Sequence, residues 1–319
     1  MSGSELDQEA HLALTAWASI VDTGGLTAMP QVTNPLWRVE GTGPTLVLKQ
    51  LPQYPPGVAP VVEFRVLSHL QAHGVPVALP TLTDQGSLHT TVNERQWVLL
   101  PYLAHQSSNH ELGSNATATA TAIGAAIGRL DRALAAYPWP VESFVDDPTK
   151  VITEALPELP REAVQLVEPV TNLLRDTCTG LPVQLTHGDC KDGNVLLNQN
   201  QVIGIIDIDH LPTGPRVRDL AYYLASRLRT HLTHPDSTNT TTALANLFGH
   251  YVAGYHQTYP LTEQELRAIV PLMLLVEIGG AHWALNGWEP NRDNYHRSLQ
   301  SITWIGDHFE TLVQAAQAH

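Results

Sequence analysis

Apolar residues recur at Leu6, Ala10, Ala13, Leu14 and Trp17, a spacing that predicts an amphipathic helix ending before Gly24-Gly25. The period then changes. Leu36 to Val39 and Leu46 to Leu48 read as strands joined by the turn Glu40-Gly41-Thr42-Gly43. After a Pro-rich stretch, Val62, Phe64, Val66, Leu67 and Leu70 return to helical spacing, and Leu79 to Leu82, Ser87 to Val92 and Gln96 to Leu103 read as further strands. Ile123, Ile127, Leu130 and Leu134 mark one face of a core helix. Trp139 to Pro160 reads as a connector, and Glu162 to Leu174 is helical again. Short apolar runs around Val183, Val195 to Leu197 and Val202 to Ile206 predict strands. From Leu220 the pattern is helical throughout: Leu220 to Leu232, Ala243 to Tyr255, Glu263 to Trp283 and Tyr295 to Ala316. Strands therefore crowd the first third of the chain and helices the remainder, an α+β pattern.

The length of 319 residues favours two domains. A formal net charge of −14 with only 15% charged residues leaves no basic surface for a polyanion, so nucleic acid is not an expected partner. The opening MSGSELDQEAHLALTAW lacks an apolar core of signal-peptide length, and no run reaches the roughly 18 apolar residues of a membrane span. A cytoplasmic protein with no membrane partner is the expectation. Cys178 and Cys190 do not make a disulfide framework. His69 and His73 share a helix face but have no third ligand in the sequence nearby.

Chemistry concentrates between 184 and 224. His187-Gly188-Asp189-Cys190-Lys191-Asp192-Gly193-Asn194 lies between two apolar runs, which puts an acid and an amide on one loop. Asp189 and Asn194 match the Asp-x-x-x-x-Asn spacing in which an Asp accepts or orients a hydroxyl proton and an Asn holds magnesium. The run Val202 to Ile206 delivers Asp207-Ile208-Asp209, hard oxygen donors suited to Mg2+. Gly214-Pro215-Arg216 and Asp219-Leu220-Ala221 follow, where Asp219 can cap a helix or tie back to the loop.

In this order the motifs resemble the aminoglycoside phosphotransferase and choline kinase superfamily, which includes type II homoserine kinases. The resemblance implies a two-lobed protein-kinase-like fold: an N-terminal lobe over 1–103, an antiparallel sheet with a helix ending in a hinge, and a mostly helical lobe over 104–319. It implies ATP and Mg2+ as cofactors, with Asp189 as proton acceptor and Asn194, Asp207 and possible assistance from Asp209 at the metal. It places Lys49, at the end of a strand, on the ATP phosphates, with Glu63 holding Lys49. No Gly-x-Gly-x-x-Gly occurs, so Thr33 and Asn34 are the candidate phosphate-loop contacts. Leu100, Tyr102 and Leu103 are candidates for the backbone contacts to adenine; Pro101 has no amide hydrogen.

Three positions depart from the family pattern. Lys191 stands where His or Asn is more usual in small-molecule kinases, and could neutralise charge on the transferring phosphoryl group. Asp192 replaces a common Pro, and Asp131 stands where His is frequent. For the acceptor, the densest polar and aromatic cluster after Glu263 contains Glu277, Trp283, Trp288, Glu289 and Asp293. The implied activity is transfer of the γ-phosphoryl group to a hydroxyl of a small molecule, with cationic acceptors such as aminoglycosides in view. Homoserine and other amino alcohols, a protein Ser/Thr side chain, and a non-catalytic nucleotide-binding regulator stay open.

Overall fold

The computed structural model describes residues 3–21, 25–29, 34–52, 58–106, 115–233, 241–287 and 290–318. An antiparallel sheet in the order β1-β2-β3-β5-β4 forms from β1 (Gly25–Ala28), β2 (Leu36–Glu40), β3 (Leu46–Gln50), β4 (Thr90–Val92) and β5 (Arg95–Pro101). Successive side chains of a strand point to opposite faces. Trp37, Val39, Leu46, Leu48, Trp97 and Leu99 therefore share one face, packed against Ala10, Ala13 and Leu14 of α1 (Gly3–Leu14) and against Trp17. The Trp37 and Trp97 rings lie 5.3 Å apart, and Trp17 Nε1 donates to the Thr81 carbonyl at 2.8 Å. Val47 and Lys49 are left on the opposite face, toward α2 (Pro60–Ala72).

Helix α2 joins the sheet to the rest of the chain. Its Val66, Leu67 and Leu70 pack with Leu130 and Leu134 of α3 (Ala116–Ala135) and with Ile205, Ile208 and Leu211. The short α4 (Pro148–Lys150), α5 (Arg161–Val167), α6 (Thr171–Cys178), α7 (Val217–Thr233), α8 (Thr241–Thr258), α9 (Glu263–Asn286), α10 (Arg292–Asp307) and α11 (Phe309–Gln317) complete the helical part. Between α6 and α7 lie two small ribbons, β6 (Val183–Leu185) with β9 (Thr213–Pro215) and β7 (Val195–Asn198) with β8 (Gln201–Ile205).

Helix α9 starts in a capping box, Thr262 accepting the Glu265 amide while Glu265 accepts that of Thr262. It is the one described helix long and apolar enough to cross a bilayer, but 72% of that stretch is buried inside the protein, as befits a core helix. Helices α3 and α8 cross almost backbone to backbone. A Cβ on Gly124 would lie 1.9 Å from the Tyr251 carbonyl oxygen, and one on Gly254 would lie 2.0 Å from that of Thr121.

The pattern predicts most of these elements, with local corrections. Leu79 to Leu82 is no strand; Thr81 makes a single bridge to Leu99. The connector from Trp139 contains α4 and further helical turns through Glu158. The helix expected over 162–174 is interrupted by a 3-10 turn containing Pro169, and the last helix breaks at His308. Strands β1 and β9, short and without alternation, escape the pattern.

Candidate active site

The catalytic loop is fixed from below by α7. Asp219, in the first turn of that helix, accepts the His187 amide on Oδ2 at 2.6 Å and the Gly188 amide on Oδ1 at 3.0 Å. Gly188 has φ +81°, and a Cβ there would lie 2.4 Å from Pro212 Cδ, so both conformation and space require glycine. His187 Nε2 faces the Ile206 carbonyl at 3.0 Å. A carbonyl only accepts, so Nε2 carries the hydrogen and Nδ1 receives the Asp189 amide at 3.3 Å.

Asp189 is ringed by donors. Lys191 Nζ lies 2.7 Å from its Oδ2, Asn194 Nδ2 donates to the same oxygen at 3.2 Å and to the Asp189 carbonyl at 2.8 Å, and the Tyr222 hydroxyl also donates to the carboxylate. Burial works to raise its pKa, but the Lys191 ammonium and these hydrogen bonds outweigh it and hold Asp189 below the ordinary carboxylate range. The group is an anion beside a cavity, able to orient a hydroxyl and receive its proton.

Asp192, the residue standing in place of the family's Pro, is tied to α7. Its Oδ1 accepts the Ser226 hydroxyl at 2.6 Å, its Oδ2 accepts Thr230 at 2.7 Å, and Arg227 Nη1 lies 3.4 Å away. These bonds hold by side chain what a proline would hold by its ring.

The cavity itself, about 450 Å3, lies between the sheet and this loop. Val47, Lys49 and Glu63 line it from the sheet side, and Lys191, Asn194, Leu196, Ile206 and Asp207 from the other. Lys49 is buried, with Nζ 2.7 Å from Asp207 Oδ1 and 3.9 Å from Asp209 Oδ2. Asp207 adopts φ +59°, a left-handed conformation that turns its carboxylate to Lys49. Burial opposes its charge, but Lys49 and then Lys191 hold its pKa below the usual value.

Three expectations are corrected here. Lys49 pairs with Asp207 and not with Glu63. Glu63 lines the same side of the cavity as that ammonium without an ion pair among the described residues, and burial, offset in part by Lys49, pushes its pKa up to about 7. Asp209 is nearly buried, accepts His210 on Oδ1 at 3.0 Å, and is not among the cavity-lining residues, so it clamps Lys49 and His210 instead of facing a ligand. At the hinge, the Tyr102 amide donates to the Thr45 carbonyl at 3.1 Å. The alternation of an antiparallel ladder then gives Leu100 to Val47 as well. Both backbones are spent on β3, which leaves the Leu103 amide without a protein acceptor among the described residues.

Sequence reasoning overlooked the floor under Leu103: a Cβ on Gly204 would lie 2.3 Å from Leu103 Cδ1. It also overlooked Tyr222, Ser226, Arg229 and Thr230. These continue from Asp219 at intervals of three and four along one face of α7, a polar stripe whose spacing carried the signal.

Asn34 lines the cavity, while Thr33, Trp288 and Glu289 lie outside the described residues. Glu277 does not face a ligand. It is wholly buried, and Arg229 holds it through Nη2 at 2.8 Å and Nε at 3.3 Å. Burial raises its pKa in spite of that cation. Trp283 is exposed and Asp293 is exposed in the first turn of α10, and neither lines the cavity. For magnesium the fit is good. Asp207 keeps Oδ2, and Asn194 keeps Oδ1, as hard oxygen donors on one cavity wall.

Solved structures share this fold. An aminopropanol kinase associated with a microcompartment superposes with a TM-score of 0.74 at 16% identity, covering 97% of this chain and 99% of that one. A choline/ethanolamine kinase family protein from Mesorhizobium loti gives 0.65 at 16%, covering 98% and 100%. A spectinomycin phosphotransferase, solved with ADP and spectinomycin, gives 0.62 at 12%, covering 100% and 98%. No match was found among curated proteins. The family model described as the phosphotransferase enzyme family, APH, matches residues 28–264, a span that runs from the sheet through the catalytic loop to the start of α9; the chain belongs to that family.

Proposed function

We propose that this protein moves the γ-phosphoryl group of ATP to a hydroxyl of a small molecule. The observation that carries the reading is the convergence on one cavity of Lys49, Lys191, Asn194 and Asp207, with the Asp189 anion beside Lys191. Adenine enters between the sheet and Leu196, with its edge on the Leu103 amide. Lys49 grips the phosphates. Asp207 and Asn194 oxygens would hold magnesium, which would supply positive charge to the phosphate oxygens. Lys191 stands between Asp189 and the cavity, where its ammonium offsets charge on the phosphoryl group in transit. Asp189 orients the acceptor hydroxyl and takes its proton.

The acceptor is a small hydroxylated molecule; amino alcohols and aminoglycosides head the classes to test. Any selection for a cation rests on groups other than Glu277, which Arg229 already neutralises. The deciding experiment is a phosphorylation screen with the purified chain, ATP and magnesium over amino alcohols, homoserine, aminoglycosides, sugars and a generic protein substrate. Acceptor-dependent ADP release that Asp189→Ala removes is the expected result. Nucleotide binding without transfer to any acceptor would favour a regulator on the kinase fold.

A further inference from the structure

Behind the catalytic loop lies an acid that the reaction does not use. Asp131 of α3 is wholly buried. Its Oδ2 accepts the Tyr255 hydroxyl of α8 at 2.7 Å, and its backbone carbonyl accepts Gln184 Nε2 at 2.6 Å. Its Oδ1 is buried with no N–H or O–H donor among the described residues. The side chain it meets on α7 is another carboxylate, Asp219, whose two oxygens already receive the His187 and Gly188 amides. Among the described residues neither acid forms an ion pair. The nearby Arg216 is committed to Glu265 at 2.5 and 2.7 Å, to the Pro260 carbonyl at 2.8 Å and to the face of Tyr259.

Two ionised carboxylates in hydrogen-bonding contact at a dry site repel strongly, and an unpartnered buried oxygen adds its own desolvation cost. One hydrogen removes both penalties. We propose that Asp131 is carried as the neutral acid and that its Oδ1–H donates to Asp219, making Asp131 a positioning residue for the catalytic loop.

The remaining surroundings agree. Burial first, and the Asp219 charge second, push Asp131 well above the ordinary carboxyl range, while the Tyr255 hydrogen bond and Arg216 only partly oppose them. Burial is the first cause that pushes Tyr255 up, so its hydroxyl stays a donor. Cys190, fully buried, is held as a thiol first by burial and then by the Asp219 charge. A relay then runs from Tyr255 through Asp131 to Asp219 and on to the amides that precede Asp189. Asp219, relieved of repulsion, stays anionic and accepts three hydrogens.

The test compares Asp131→Asn with Asp131→Ala in the whole chain. Asparagine is shaped like the neutral acid: it donates to Asp219 and accepts from Tyr255, whereas alanine does neither. Infrared difference spectra near neutral pH should give wild type a protonated-carboxyl band that Asp131→Asn lacks, a readout independent of any acceptor. Denaturation provides the second readout. The folded state keeps a proton that the unfolded chain releases, so wild-type stability falls as pH rises above the ordinary carboxyl value of 3.8, and Asp131→Asn should flatten that slope. In turnover, Asp131→Ala should lower kcat on the order of tenfold with little change in the Michaelis constant for ATP, through displacement of the loop. Asp131→Asn should restore most of it. Absence of the band, an unchanged pH slope, or an Asn variant as slow as the Ala variant would overturn the proposal; so would full activity in Asp131→Ala.

Discussion

Lys49 Nζ and Asp207 Oδ1 lie 2.7 Å apart although 158 positions separate them in the chain. The contact joins the third strand of the sheet to a residue just past β8, so this ion pair ties together elements on the two sides of the cavity. Asp207→Asn removes one anionic oxygen from both Lys49 and a metal. It should weaken magnesium-ATP by on the order of tenfold more than metal-free ATP. Calorimetric titration with and without magnesium measures the difference, and equal losses would take Asp207 out of the metal site.

Glu63 gives a pH prediction. Its carboxyl is raised from 4.5 to about 7 in the folded chain. The folded state therefore holds a proton that the unfolded state has lost between those values, and the contribution of Glu63 to stability falls as pH rises through about 7. Chemical denaturation of Glu63→Gln across that range should show a shallower pH dependence than wild type. Parallel curves would mean that Glu63 ionises as an ordinary surface acid.

Gly204 is tied to nucleotide affinity. A methyl group there must push Leu103 toward the cavity, since the two would otherwise lie 2.3 Å apart. Gly204→Ala should raise the Michaelis constant for ATP roughly threefold to tenfold, about 1 kcal/mol of lost packing, and leave kcat nearly unchanged. Steady-state kinetics at saturating acceptor checks it.

Asp192 should prove replaceable by the residue it substitutes. Asp192→Ala removes the carboxylate's bonds to Ser226, Thr230 and Arg227 and keeps only the backbone amide on Ser226 Oγ, and kcat should fall on the order of tenfold. Asp192→Pro should lose less, and in that background Ser226→Ala should be silent. A double-mutant cycle reports the coupling, and a proline variant as impaired as the alanine one would separate Asp192 from loop rigidity.

Much of this was legible because the chemistry is local in sequence. Asp189, Lys191 and Asn194 occupy one loop, Asp207 follows the next strand, and the nineteen positions from 189 to 207 hold all four. Periodicity likewise announced α2, α3 and the helices from α7 onward. What failed depended on pairing at a distance. Whether Lys49 bonds Glu63 or Asp207 turns on a left-handed φ that no spacing encodes. Tyr102 lost its role because Thr45, on the neighbouring strand's approach, takes its amide. Glu277 looked like a ligand because it is a carboxylate among aromatics, but Arg229 reaches it from 48 positions away. An acid's partner, more than its presence, decides whether it is offered to a substrate.

The close passage of α3 over α8 has an evolutionary corollary. Gly124 and Gly254 admit only hydrogen, and Gly128, one turn before Asp131, lies against the Tyr255 carbonyl, with a Cβ there at 3.0 Å. The spacing of the two backbones thus sets how far Tyr255 stands from Asp131, and through it where Asp219 holds the loop. In a randomised library selected for turnover alone, these glycines should be recovered as stubbornly as Asp189 itself. Their conservation among active clones would carry no direct chemistry; it would record the tolerance to which the loop must be set.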